Sequence, residues 1–154
     1  MKNSNASNST PQEPEGSSPK IRVLIADDHE LIRWNLKRLI ALLPGLVVIG
    51  EATTGHEALK LANKHKPELV FMDISMPEMD GVEATRRIVC ANPATRILVI
   101  SVHADRRYAA AMLSLGAVGY IIKDHLCDEL RPAVEAVMSG RIYVSPEIAS
   151  GEDE

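Results

Sequence analysis

Five short apolar runs, each followed by a stretch with helical periodicity, constrain the fold of this chain more than any other feature. The runs consist mostly of continuous Ile, Val and Leu rather than of apolar residues that alternate with polar ones. Such continuity is typical of strands buried on both faces of a parallel sheet. We therefore predict strands over 21–26, 47–51, 69–72, 97–100 and 118–122.

The stretches that follow the runs have the spacing of amphipathic helices. In the first of them, Ile32, Leu36 and Ile40 recur about four positions apart, and Pro44-Gly45 ends the pattern. Five β-then-α units predict an α/β fold, a doubly wound five-stranded parallel sheet with helices on both faces. The helices are predicted over 29–43, 56–65, 82–90, 106–115 and 126–138.

Composition divides the chain into three parts. Residues 1–19 are mostly Ser, Asn, Pro and other small or polar residues, so we expect a disordered leader. Residues 20–139 are expected to form the folded domain, and residues 140–154 a linker with an acidic tail. No apolar run approaches the roughly 20 residues needed to span a bilayer, and two cysteines are too few for a disulfide framework. We therefore expect a cytoplasmic protein without a membrane anchor.

Charge limits the partners of this chain. It carries 17 Lys and Arg against 21 Asp and Glu, a formal net charge of -4, and four of the acids lie in the last nine residues. Nucleic-acid binding usually needs a clustered basic face. Direct binding of nucleic acid by this chain is therefore not expected.

Acidic, hydroxyl and cationic side chains follow four of the five predicted strands. Asp27 and Asp28 follow the first, Asp73 the third, Ser101 the fourth and Lys123 the fifth. Because ligands of doubly wound sheets bind beyond the carboxyl ends of the strands, we expect these side chains to share one site.

The residue types of this expected site indicate phosphoryl transfer with a metal ion. Three ionised carboxylates within about 4 Å would repel one another by about 4 kcal/mol per pair at an effective dielectric of about 20, which a bound cation would relieve. Oxygen ligands on a shallow rim suit Mg²⁺. A metal, an acceptor carboxylate, a lysine and a hydroxyl together form a phosphoryl-transfer site, in which the carboxylate becomes an acyl phosphate.

Each of these residues also has a simpler interpretation when it is taken alone. Asp28 would cap the next helix, Asp73 would belong to a turn, and Ser101 would supply a cap or turn hydroxyl. Lys123 would be a solvated surface lysine, and Tyr120 a half-buried core aromatic. The functional hypothesis depends on the whole set, because its members follow different predicted strands.

Longer motifs resemble the receiver domains of bacterial two-component response regulators, in particular the NarL/FixJ (LuxR-type) subfamily. They are IRVLIADDHELIR, VVIGEATTGHEAL, PELVFMDISMPEMDGVEATRRI, TRILVISVHADRRYAAAMLSLGAVGYIIKD and ELRPAVEAVMSGRIYVSPEIA. The resemblance covers about residues 20–149. It implies a (βα)₅ flavodoxin-like sheet with strand order 2-1-3-4-5.

The resemblance also implies roles for individual residues. Asp73 is the expected phosphoacceptor, catalysing with Lys123 only its own phosphorylation and slow dephosphorylation. Asp28 and Asp73 are the expected direct Mg²⁺ ligands, with the backbone carbonyl of Ser75 as a third and Asp27 acting through water.

A conformational switch is the second implication of the resemblance. Ser101 is expected to hydrogen-bond the phosphoryl group and Lys123 to pair with it. After phosphorylation Ser101 would move toward the phosphate, and the aromatic switch residue Tyr120 would turn inward. The sequence departs from the broader family in having Ser101 where Thr is commoner. His103, two residues further on, is expected to hinder the water that hydrolyses the acyl phosphate.

The expected partners are a sensor histidine kinase or a phosphotransfer protein, and a homodimer on phosphorylation is compatible with the family. Trp34 lies about 200° around the first helix from the buried stripe, so it is a candidate anchor for a partner, although it could equally lie flat on its own surface. The subfamily's DNA-binding helix-turn-helix of roughly 60 residues does not fit after the receiver. We expect either a truncated receiver, whose full-length protein controls transcription, or a natural single-domain regulator that acts by protein contact.

Three other functions fit the sequence less well. An interaction module independent of phosphorylation would not need the full set of site residues. An aspartyl-phosphate phosphatase would carry a second Asp two positions after the nucleophile, where this chain has Ser75. A dinucleotide-binding protein would have a glycine-rich turn after the first strand, where this chain has ADDHE.

Overall fold

The computed structural model describes residues 20–150, so the predicted leader 1–19 and the final residues 151–154 lie outside the described part. The described residues form a parallel sheet with helices on both faces, as the apolar runs predict. Among them, no helix combines the length and the apolar character that crossing a membrane requires.

Strands and helices alternate along the chain. The bounds of each predicted element differ from the observed ones by at most two residues. A single 3₁₀ turn, Lys123–His125, joins β5 to α5. The elements are β1 (Ile21–Ala26), α1 (Glu30–Ala41), β2 (Leu46–Ala52), α2 (Gly55–His65), β3 (Leu69–Asp73), α3 (Gly81–Ala91), β4 (Arg96–Ser101), α4 (Arg106–Ser114), β5 (Gly119–Ile122), α5 (Leu126–Met138), β6 (Tyr143–Val144) and α6 (Pro146–Ala149).

The strand order is β2-β1-β3-β4-β5-β6. The predicted order 2-1-3-4-5 is confirmed, but the prediction of five strands misses the sixth. β6 has only two residues, too few to show any hydrophobic period, and it is defined by its parallel pairing with β5. It lies in the segment that was expected to be a linker, and α6 follows it directly.

Both faces of the sheet are buried, which explains the continuous apolar runs. Along β1, the side chain of Leu24 packs on the face covered by α2, α3 and α4, while Val23 and Ile25 pack on the face covered by α1 and α5. Every residue of β3, the strand between β1 and β4, is buried. Asp73, at the carboxyl end of this central strand, is its only charged residue.

The connection from β3 to α3 is held tightly against the end of the strand. The N–H of Gly81 donates to the carbonyl of Ile74 at 3.2 Å, and Asp80 caps α3 by accepting from the N–H of Glu83 at 3.0 Å. A Cβ on Gly81 would lie only 2.0 Å from the carbonyl oxygen of Asp73. Glycine thus lets the first turn of α3 approach the end of β3.

Candidate functional site

Acidic side chains converge at the carboxyl edge of the sheet. One ligand-type atom from each of Asp27, Asp28, His29 and Asp73 lies within 4.8 Å of the others. The adjacent strands β1 and β3 carry Asp27 and Asp73 to the same edge. The structure therefore brings the three predicted carboxylates together and adds a histidine to them.

Lys123 supplies the positive charge of this cluster. Its Nζ lies 2.8 Å from Oδ2 of Asp27 and 3.5 Å from Oδ2 of Asp73, and its side chain is only 7% exposed. It reaches the carboxylates from the turn after β5, on the far side of β4 from Asp73. The sequence correctly anticipates that Lys123 lies in the cluster, although the ammonium is closer to Asp27 than to the expected acceptor.

Asp73 is buried and electrostatically strained. Its Oδ1 accepts a hydrogen bond from the N–H of Ser75 at 3.2 Å. Burial raises the pKa of Asp73 above its ordinary value, and the nearby carboxylate of Asp27 raises it further, while Lys123 acts in the opposite direction. Removing the carboxylate from water costs free energy that these contacts offset only in part.

Asp27 and Asp28 differ in their surroundings although they are adjacent. Asp27 is fully buried; its Oδ1 accepts from the N–H of His29 at 2.8 Å, and its backbone carbonyl accepts from Nη1 of Arg33 at 2.9 Å. The side chain of Asp28 is 32% exposed and lies at the solvent side of the cluster, with its Oδ1 3.3 Å from Nδ1 of His29. Asp28 is therefore open to an ion or a water molecule in a way that Asp27 is not.

The donor set of the cluster fits a divalent cation. Three carboxylates against one ammonium leave two uncompensated negative charges when His29 is neutral. The Oδ2 atoms of Asp27 and Asp73 are buried, and within residues 20–150 neither accepts a regular hydrogen bond, although both face the ammonium of Lys123. A small dication would neutralise this charge, and oxygen ligands are those that Mg²⁺ prefers.

Ser101 and Tyr120 are joined through the backbone of one loop residue. Oγ of Ser101 accepts from the N–H of His103 at 3.0 Å, and the hydroxyl of Tyr120 donates to the carbonyl of His103 at 2.8 Å. Tyr120 is fully buried, and burial raises its pKa. The structure thus holds Tyr120 in the inward position that was expected to follow phosphorylation. The ring of His103 stacks on that of Tyr108, with centroids 4.3 Å apart.

Trp34 lies on α1 and is not among the residues of the carboxylate cluster. Its side chain is 53% exposed, and the guanidinium of Arg38, one turn further along the helix, lies 5.0 Å from the ring centroid. Leu31 on the same helix is 71% exposed. Together they give α1 an accessible surface with apolar and cationic groups.

Two features were missed by reasoning from the sequence. The spacing of the five histidines does not single out His29, although its position directly after two aspartates is an available signal. The second feature is Glu129 on α5, whose Oε1 accepts from the hydroxyl of Ser145 at 2.6 Å and from that of Tyr143 at 3.1 Å. Tyr143 and Ser145 are 14 and 16 positions from Glu129, so no local sequence pattern reveals these contacts.

A parallel sheet of order 2-1-3-4-5 with buried aspartates, a lysine and a serine at its carboxyl edge defines a flavodoxin-like α/β protein with an acidic pocket at that edge. The comparison with known protein families agrees with this fold class and identifies the family within it. Residues 23–135 match the response regulator receiver domain family, and the chain belongs to that family.

Similar proteins are regulators of the LuxR/NarL type. The chain is 39% identical over 129 residues to the transcriptional regulatory protein DegU of Brevibacillus brevis, covering 84% of this chain and 55% of the relative. It is 38% identical over 129 residues to the response regulator GacA of Pseudomonas aeruginosa, covering 84% of this chain and 60% of that protein. The chain therefore spans little more than half the length of these relatives.

A crystal structure of a LuxR-family two-component response regulator from Aurantimonas sp. SI85-9A1 has the same fold. It superposes with a TM-score of 0.81 at 37% identity, covering 85% of this chain and 94% of that one. The predicted family and fold are thus confirmed, and the chain is a receiver domain of this regulator type.

Proposed function

We propose that Asp73 accepts a phosphoryl group from a histidine kinase or a phosphotransfer protein, and that the chain acts as a switch rather than as an enzyme with an external substrate. The observation that carries this proposal is the ammonium of Lys123 placed against the buried carboxylates of Asp27 and Asp73. A buried acceptor with one adjacent cation, at the open edge of the sheet, is arranged to receive an anionic group.

The chemistry required of this chain is modest. A carboxylate oxygen of Asp73 attacks phosphorus, the new O–P bond forms as the N–P bond of the phosphohistidine breaks, and the departing imidazole takes up a proton from solvent. Lys123 would then pair with the added phosphoryl oxygens. Since phosphoryl transfer depends mainly on positioning and charge stabilisation, no general base is needed.

Asp28, Asp73 and the backbone carbonyl of Ser75 would hold Mg²⁺, with Asp27 acting through a water molecule. The exposure of Asp28 and the uncompensated charge of the cluster support this assignment. When bound, the ion would offset the repulsion between the carboxylates and the incoming phosphate.

The backbone of His103 would couple Ser101 to Tyr120 in the conformational change. Both backbone groups of this residue are engaged, the N–H by Ser101 and the carbonyl by Tyr120. If Ser101 turned its hydroxyl to a phosphoryl oxygen on Asp73, its contact with the loop would change, and the loop and Tyr120 would adjust together. Phosphorylation would thus bias the face formed by α4, β5 and α5 between two arrangements.

The accessible surface of α1 is the proposed docking site for the phosphodonor protein. Exposed Trp34 and Leu31 offer apolar contact area at a helix that begins next to Asp28. Trp34→Ala should slow transfer from phosphorylated histidine kinases while leaving transfer from acetyl phosphate unchanged, because the small donor needs no protein docking. If Trp34→Ala accepts phosphate from each donor as fast as the unaltered chain does, Trp34 has no role in docking.

We propose that the output is control of transcription in the cytoplasm, through a DNA-binding region outside this chain. The name of the DegU relative supports transcription, and the free thiols of Cys90 and Cys127 are compatible with a reducing compartment. The alternatives are a single-domain regulator that acts by protein contact and a module that works without phosphate.

Intact-mass measurement tests the acceptor. Incubation with acetyl phosphate and Mg²⁺ should add one phosphoryl group to the chain, and Asp73→Asn should abolish the addition. Asp80→Asn is the matched control, because it removes the same charge from a nearby cap that asparagine can also form. Labelling of Asp73→Asn, or no labelling of the unaltered chain, would refute the proposal.

Beryllofluoride tests the switch separately from the acceptor. Binding of this phosphoryl mimic should shift the NMR resonances of Ser101, His103 and Tyr120. Binding without such shifts would mean that the site accepts phosphate without driving a switch, and would favour the module that works without phosphate.

A further inference from the structure

His29 lies where a nitrogen ligand of the metal site would lie. Its Nδ1 is 3.0 Å from Oδ1 of Asp27 and 3.3 Å from Oδ1 of Asp28, and a ligand-type atom of Asp73 lies within 4.8 Å of all three. The ring follows the acidic pair at the start of α1, where it makes no side-chain hydrogen bond that caps the helix.

These separations match those of atoms that share one ion. Two donors bound side by side at about 2.1 Å from a metal lie about 3.0 Å apart in octahedral geometry and about 3.4 Å apart in tetrahedral geometry. Both measured distances fall within that range. An ion that takes the place of the hydrogen bond between Nδ1 of His29 and Oδ1 of Asp27 could therefore be bound directly by His29 and Asp28, with Asp27 beside it.

The opposite side of Asp27 is already taken by a cation. Lys123 faces Oδ2 of Asp27, whereas His29 contacts Oδ1. An ion on the Oδ1 side would be separated from the ammonium by the carboxylate itself. The side chain of His29 is 61% exposed, so this outer position is open to solvent and to ion exchange.

We propose that His29 is a direct ligand of the acidic site and that it gives the site a preference for divalent first-row transition ions such as Fe²⁺, Co²⁺ and Zn²⁺. Mg²⁺ favours oxygen ligands, whereas imidazole favours these ions, and a mixed set of one imidazole and two or three carboxylates accepts either class. The inference rests on the proposed function, because the same cluster would hold Mg²⁺ during phosphorylation. It adds that the identity of the bound ion depends on His29.

The test compares Co²⁺ with Mg²⁺ by isothermal titration calorimetry on the full chain and on His29→Asn. Asparagine replaces the ring nitrogen by an amide oxygen, which Mg²⁺ accepts, and it is a good residue at a helix start. The variant should lose at least about tenfold in Co²⁺ affinity, comparable to losses at other metal-site positions, and less than about twofold in Mg²⁺ affinity. His56→Asn, an exposed histidine on α2, is the matched control and should change neither affinity.

NMR of the unaltered chain provides a readout that needs no variant. Paramagnetic Co²⁺ should give strongly shifted ring resonances for His29 and for none of the other histidines. An unshifted His29, or equal Co²⁺ affinity of the unaltered chain and a His29→Asn variant with native circular dichroism, would overturn the inference.

Failure of this inference is distinguishable from failure of the proposed function. If the chain binds Mg²⁺ and is phosphorylated while His29→Asn leaves Co²⁺ binding unchanged, only the ligand role of His29 falls. If Asp28→Asn, which alters a ligand that both proposals share, binds both ions as tightly as the unaltered chain does, the acidic cluster is not the metal site, and the ligand role of His29 and the proposed Mg²⁺ assignment both fall.

Discussion

Replacing Asp73 by asparagine should stabilise the folded chain at neutral pH when no divalent ion is present. The carboxylate is buried, its pKa is raised by burial and by the nearby Asp27, and only Lys123 compensates its charge. Asparagine keeps the size and shape of the side chain but carries no charge. The variant that abolishes function should therefore be the more stable protein.

The magnitude follows from distances in the site. At an effective dielectric of about 20, carboxylates at the outer limit of 4.8 Å repel by about 3.5 kcal/mol, so Asp27 and Asp28 together disfavour ionised Asp73 by about 7 kcal/mol or more. The ammonium of Lys123, 3.5 Å from Oδ2 of Asp73, stabilises ionised Asp73 by about 5 kcal/mol at the same dielectric. The amide group cannot serve both Ser75 and Lys123 as an acceptor, which costs about 1 kcal/mol. A net stabilisation of about 1–2 kcal/mol is expected.

Urea unfolding at pH 7 with EDTA, followed by circular dichroism, measures this effect. With a slope of about 1–3 kcal/mol per molar urea, a gain of about 1–2 kcal/mol should raise the midpoint by about 0.3–2 M. Asp80→Asn, which removes a charge outside the cluster, should leave the midpoint nearly unchanged. A destabilised Asp73→Asn, or an equal gain in the control, would refute the electrostatic argument.

The pH dependence has a defined sign. Because the folded-state pKa of Asp73 is raised, protonation removes the penalty from the unaltered chain as the pH falls through that value. The advantage of Asp73→Asn should therefore be greatest above the folded-state pKa and should vanish below the ordinary value of 3.8. Saturating Mg²⁺ at pH 7 should also reduce it, because only the carboxylate would bind the ion strongly.

Three further expectations concern other parts of the molecule. Gly81→Ala should cost about 2 kcal/mol or more in urea unfolding, since its Cβ would meet a backbone oxygen at 2.0 Å, whereas Gly50→Ala, with contacts of 3.5 Å or longer, should cost less than about 1 kcal/mol; equal costs would contradict the packing argument. Tyr120→Phe should lose about 1 kcal/mol in thermal unfolding, because it leaves a loop carbonyl without its donor, and an unchanged melting temperature would mean that water replaces the hydroxyl. Glu147, helped by acidic neighbours on the adjoining turn and helix, raises the pKa of His125 above 6.5, so their contact is complete below pH 6.5 and is lost as the pH rises through the folded-state value. Hydrogen-exchange protection of α6 should fall accordingly, and Glu147→Gln should abolish that dependence.

The sequence predicts the sheet well because the relevant signals are local. Strand β3 was expected over 69–72 and ends at Asp73, since a fully buried strand must be apolar throughout and its first charged residue marks the edge. The placement of Lys123 near the acids follows from topology in the same way. Parallel strands deliver their carboxyl ends to one side, whatever the distance along the chain.

The remaining features depend on contacts that no local pattern encodes. The inward position of Tyr120 is set by a hydrogen bond to a carbonyl 17 residues earlier, and a single tyrosine in a strand is compatible with either orientation. The ring of His29 could point to solvent or to the acids, and only the folded backbone decides between them. β6 exists because of its partner strand rather than its own two residues.

The docking of β6 has a practical consequence for shortened versions of this chain. The N–H of Ser145 donates to the carbonyl of Tyr120, and the N–H of Ile122 donates to Oγ of Ser145, so this segment covers the outer edge of β5. A polypeptide cut at residue 135, where the family match ends, would lose the last turn of α5 and leave an apolar strand with unpaired backbone groups. Such an edge recruits strands from other molecules. A chain that ends at residue 150 keeps this cover and should stay in solution, whereas a chain that ends at residue 135 should precipitate.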